Sequence, residues 1–107
     1  MSVTSKDYAN PQFLTGTFTS AGSAADVTET LPWSPSFFIC FVDIEGTNPN
    51  MLVQSAYSTT DTMLTTGSTG VITTPATTSG ITISGTSVTI ESGGQVNSGK
   101  NAWIAFK

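Results

Sequence analysis

Apolar and polar positions alternate with a period of two through most of the chain, the repeat of a β-strand. From Phe13 onward the runs are short and separated by Gly, Pro, Asn and Ser. Phe13–Thr19 is the first, closed by Ser20-Ala21-Gly22-Ser23. In Ala25–Leu31, the residues Ala25, Val27, Leu31 and then Trp33 share one face, and Asp26, Thr28 and Thr30 share the other. Glu29 interrupts the apolar face, so that strand is expected to be partly exposed or to give the carboxylate a role. Pro32 and Pro35 forbid helix around Trp33. Ser36–Glu45 is the most apolar run: Phe37, Ile39 and Phe41 point one way, and Phe38, Cys40, Val42 and Ile44 the other. A strand apolar on both faces must be covered on both. In a domain of 107 residues one face can meet the core, which leaves the second for another sheet, a loop or another subunit.

Gly46-Thr47-Asn48-Pro49-Asn50 marks a turn, and Met51–Tyr57 begins a return strand. Residues 58–80 are rich in Thr, Ser and Gly, with apolar islands at Met63-Leu64 and Val71-Ile72. Ile81–Ile83 and Val88–Ile90 flank Ser84-Gly85-Thr86-Ser87, a hairpin signature. A polar loop from Glu91 to Lys100 leads to Ala102–Phe106, where Trp103 and Ala105 oppose Ile104 and Phe106. That segment is expected to pair inside a sheet. No stretch carries sustained helical spacing with caps. Seven to eight short strands predict a single-domain, all-β fold over 13–107, an antiparallel β-sandwich or jelly roll, with a small barrel as the third form. Residues 1–12, which include Lys6, Asp7, Asn10 and Pro11, read as a flexible N-terminal arm.

Composition sharpens this picture. Charged residues are only 9% of the chain, and polarity comes from 14 Ser and 20 Thr, the latter suited to an exposed pleated surface. Seven carboxylates oppose Lys6, Lys100 and Lys107, giving a net charge of −4 with no Arg. A nucleic-acid partner is not expected, because the basic footprint that displaces counterions is missing. An anionic membrane is disfavoured on the same ground, no apolar stretch approaches the ~20 residues of a spanning helix, and the polar opening Met-Ser-Val-Thr-Ser-Lys-Asp does not read as a leader. The single Cys40 rules out an internal disulfide and is compatible with assembly in a reducing cytoplasm.

Candidate chemistry is sparse. Without histidine, the Ser-His-Asp and Cys-His machineries cannot be built, and one cysteine cannot hold zinc. Cys40, between Ile39 and Phe41, reads as a small buried hydrophobe. Asp43 and Glu45 lie two apart, so on a regular strand they would share a face roughly 7 Å apart, within the range glycosidases use. General acid catalysis also needs a cleft that raises one pKa, and a strand end beside Asn-Pro-Asn is expected to be solvated. The same segment, Asp43–Asn48, could offer oxygen ligands to calcium but lacks EF-hand spacing. Gly93-Gly94 and Ser98-Gly99-Lys100 lack the P-loop spacing and its helix. Trp33, Tyr57 and Trp103 could form a sugar-stacking platform, although aromatics at strand ends more often serve a core or an interface. The expectation is a protein that is not an enzyme and takes no cofactor.

Two sets of residues carry a family resemblance. The first is Gly16-Thr17-Phe18-Thr19-Ser20-Ala21-Gly22 with Val27 and Leu31-Pro32-Trp33-Ser34-Pro35 leading into Phe37–Val42. The second is Gly80-Ile81-Thr82-Ile83-Ser84-Gly85, then Val96–Lys100 and Trp103-Ile104-Ala105. As an ordered set, covering most of the chain from about residue 14, they resemble small structural proteins of tailed bacteriophages, most of all capsid decoration (cement) proteins. The resemblance implies a β-sandwich or jelly roll, a homotrimer seated on the major capsid protein, a place on the virion surface after assembly in the host cytoplasm, and no catalytic motif. Similar sequences occur in tail and fibre components, so a receptor- or glycan-binding module is the alternative. Candidate contact residues are Phe37, Phe38, Ile39, Phe41, Val42 and Ile44, together with Trp33 and Trp103.

Overall fold

The computed structural model describes residues 12–47, 49–57, 62–65, 72–73 and 80–107. Apart from Gln12, the arm expected over 1–12 lies outside them. The strands are β1 (Phe13–Thr19), β2 (Val27–Thr30), β3 (Phe37–Val42), β4 (Asn50–Ser55), β5 (Met63–Thr65), β6 (Ile72–Thr73), β7 (Ile81–Ser84), β8 (Ser87–Ile90) and β9 (Lys100–Phe106). A 3-10 turn at Ser92–Gly94 interrupts the polar loop before β9. The strands form two antiparallel sheets, one of order β1-β9-β3-β4-β5-β6 and one of order β2-β8-β7. This is an all-β sandwich, as the alternation predicts. Strands β5 and β6 arise in the Thr-rich stretch, which brings the described strands to nine rather than seven or eight.

The hydrophobic core lies between the sheets. Phe38, Cys40 and Val42 of β3, Leu52 of β4 and Trp103 and Ala105 of β9 meet Ile81, Val88 and Ile90 of the smaller sheet, with Leu31 closing one side. Phe38, Cys40, Val42 and Leu52 are fully buried, and each large side chain so removed from water contributes roughly 1.5–3 kcal/mol. Phe38 stacks on Trp103 with ring centroids 5.3 Å apart. Opposite Trp103 in the β1–β9 register stands Gly16, where a Cβ would collide with the indole. The glycine lets the ring lie flat over an edge strand.

The hairpin β7–β8 turns through Gly85, whose φ of +59° suits glycine. β2 is shorter than the Ala25–Leu31 run but keeps its faces: Val27 and Glu29 point inward and half-buried, Thr28 and Thr30 outward. β2 is also an edge strand. An inward-pointing charge on such a strand is one means of obstructing pairing with further chains.

A polar hub locks the end of the sandwich where β1 leaves and β9 enters. Asn101 is 1% exposed. Its amide donates to Ser20 Oγ at 2.9 Å, Gly99 O at 3.2 Å and Phe18 O at 3.3 Å, and its oxygen accepts the Asp43 N–H at 3.0 Å. Ser20 Oγ donates in turn to Gln95 Oε1, and Gln95 Nε2 donates to Ala25 O and Ile90 O. Four segments distant in sequence are thereby fixed without any charge.

Candidate protein interface

The outer face of the six-stranded sheet is built by the alternate residues that the core does not take. Pairing registers arrange them in rows across β1, β9, β3 and β4. The first row is Phe13, Phe106, Phe37 and Ser55; the second is Thr15, Ile104, Ile39 and Val53; the third is Thr17, Ala102, Phe41 and Met51. Met63 on β5 extends the second row beside Val53. Phe13 is 58% exposed, Phe37 43%, Met63 47% and Phe106 38%. Tyr57, just past β4, sets its ring edge-on to Phe37 at 6.3 Å and is itself 85% exposed. Ile39, Phe41, Met51, Val53 and Ile104 are half-buried.

No charged residue stands in these three rows. Charge returns one step further along, where Lys100 lies opposite Thr19 and its Nζ sits 3.0 Å from Glu45 Oε1. Beside that pair is a cleft of about 230 Å³ lined by Thr17, Phe18, Thr19, Ile44, Lys100 and Asn101. An apolar sheet face of this extent, rimmed by polar groups, is comparable to the largest patch a monomer carries, and such patches often serve contact with another molecule.

The candidate contact residues therefore divide. Phe37, Ile39 and Phe41 lie on the outer face as a group. Phe38 and Val42 do not: each is fully buried against the smaller sheet and cannot meet a neighbour without opening the sandwich. Trp103, 7% exposed, belongs to the core for the same reason, and Trp33 packs against that core half-buried. Ile44 departs from the Phe38–Cys40–Val42 face because β3 stops at Val42 and Asp43 adopts φ +56°, so Ile44 emerges 46% exposed near Lys100. The pattern within β3 did not reveal Phe13, Phe106, Ile104, Met51, Val53 and Met63 as members of this face. Their own alternation held the signal, but only the register between strands unites them.

The other candidates scatter. Asp43 and Glu45 do not share a strand face, because the left-handed Asp43 opens a turn and Glu45 is engaged by Lys100 in solvent. Among the described residues, no three Asp, Glu, Cys or His side chains converge as metal ligands. Gly99 is buried against Val96 and Asp43, while Gly93 and Gly94 belong to the 3-10 turn. Burial pushes the Cys40 thiol up to about 12, leaving it protonated and unreactive at neutral pH. With Trp103 inside, Trp33 half-covered and Tyr57 at the sheet's rim, the three aromatics build no common sugar platform.

No protein-family model, curated protein or solved structure matches this chain.

Proposed function

We propose that this chain is a structural subunit of a tailed-phage particle, a capsid decoration protein that strengthens the head through protein–protein contacts. The apolar outer face of the six-stranded sheet carries the reading. It gathers Phe13, Phe37, Met63 and Phe106 in the open, and its chemistry is that of burial against protein. The phage resemblance of Gly16–Gly22, Leu31–Val42 and Trp103–Ala105 supports the setting. In this reading the face covers itself against neighbouring subunits, while the polar loops and the residues before β1 address the major capsid protein. Many copies on one head convert a modest single contact into firm attachment, because each bound neighbour raises the effective concentration of the next.

Cryo-electron microscopy of purified virions, with an antibody or a gold label on the chain, tests the location. Regular density on the head shell is the expected result. Label confined to tail fibres, accompanied by binding of the isolated chain to host polysaccharide, would replace this reading with the glycan-binding one.

A further inference from the structure

We propose that two copies of this chain pack outer face to outer face about a two-fold axis. The axis lies between the two sheets, runs across the strands, and passes at the level of Ile39 and Ile104. The proposal rests on reading this face as a protein interface and names its occupant.

The first support is shape. Such an axis keeps each strand over its own copy and exchanges the first row with the third. On β1, Phe13 then lies over Thr17 of the second copy; on β9, Phe106 lies over Ala102; on β4, Ser55 lies over Met51. Three strands thus set a large side chain against a small one. On β3, Phe37 meets Phe41, giving two aromatic pairs that flank the axis. Self-complementarity of this kind is what an isologous interface requires. A three-fold arrangement, as the phage resemblance implies, would press the face against a different surface and leave this match unused.

Charge agrees. A chain of net charge −4 repels its own copies, yet the three rows carry no charge, so like can approach like here without penalty. The polar rim at Lys100 and Glu45 is a neutral pair. Size sets a modest strength. Four strands about 4.8 Å apart and three rows about 6.8 Å apart give roughly 400 Å² of face in projection per copy. Two copies together reach on the order of 800 Å², the scale of a weak contact.

The full-length chain in sedimentation equilibrium, over a concentration series, is expected to be a dimer. Ala102→Phe overfills the hollow opposite Phe106, and Phe106→Ala empties it; each should weaken pairing on the order of tenfold or more. The double variant Ala102→Phe with Phe106→Ala restores one large and one small partner, and its dissociation constant should return to within about threefold of the parent. Both sites point away from the core, and circular dichroism with denaturation midpoints confirms that each variant is folded. A monomer at every concentration, a trimer, or a double variant no better than either single change overturns the pairing. If the chain stays monomeric while outer-face variants lose attachment to particles, pairing falls and the structural-subunit reading stands. If it pairs as described but is missing from virions, the reverse holds.

Discussion

The indole of Trp103 lies directly over the α-carbon of Gly16, its cross-strand partner between β9 and β1. A Cβ at position 16 would stand 2.6 Å from the indole nitrogen and nearer still to the ring carbons. Gly16→Ala should therefore push the ring off its stack with Phe38. The expected cost is about 1–3 kcal/mol, read as a lowered urea midpoint with a blunted near-ultraviolet signal from the displaced tryptophan.

Asn101 closes the polar hub. Asn101→Ala leaves the part-buried Asp43 N–H without its acceptor and takes one of two partners from Ser20 Oγ, which still donates to Gln95, and an orphaned group costs about 1–3 kcal/mol. A loss of roughly 2–4 kcal/mol in denaturant unfolding is expected. Asn97→Ala, which removes only the exposed acceptor of the Ala24 N–H, should cost roughly 1 kcal/mol or less.

Cys40 links stability to alkaline pH. Its thiol ordinarily titrates near 9.0 and is raised to about 12 by burial. Above pH 9 the unfolded chain loses this proton and the folded one keeps it. Stability should accordingly be indifferent to this group below pH 9 and fall between pH 9 and 12, with a slope approaching about 1.4 kcal/mol per unit. Cys40→Ser or Cys40→Ala should remove that slope in unfolding curves taken across the range. Ellman's reagent at pH 8 should find the thiol only after denaturant is added.

Glu29 trades stability for solubility. With its carboxylate half-buried on the inner side of edge strand β2 and opposite the fully buried Val88, Glu29→Val should extend the core and raise the melting temperature. The same change removes the obstruction at the edge. Light scattering during concentration should show the variant aggregating earlier than the parent. An unchanged scattering profile would deny the carboxylate this protective role.

The ion pair between Lys100 and Glu45 should matter little. Their side chains are 58% and 66% exposed, and water screens such a pair to about 1 kcal/mol or less. A double-mutant cycle with Lys100→Met and Glu45→Gln should return a coupling energy in that range, fading further in salt.

Local pattern made much of this fold legible. Phe13–Thr19 is a strand with the boundaries its alternation marks, the Gly85 hairpin turns where Ser84–Ser87 signals it, and Ala102–Phe106 is paired on both sides. What alternation leaves open is which of two apolar faces turns inward. Phe38–Cys40–Val42 and Phe37–Ile39–Phe41 are equally greasy, and only the partner sheet decides between them. The left-handed turn at Asp43, which ejects Ile44, is likewise met by an acceptor from far away, the Asn101 oxygen 58 positions along the chain. The outer face was half visible for a related reason. One strand announced a need for cover, while the breadth of the patch emerges from four strands aligned by register.

Strand β9 occupies the sheet interior between β1 and β3. On the ribosome, β1 must therefore wait while more than eighty further residues are added before its neighbour arrives. At about 5–20 residues per second that delay is on the order of 4–16 seconds. During that interval the part of the face made by Phe106, Ile104 and Ala102 is missing, so nascent chains lack the β9 share of the surface through which the proposed pairing would form. If copies pair as proposed, the order of the strands would place completion of that surface at the end of synthesis.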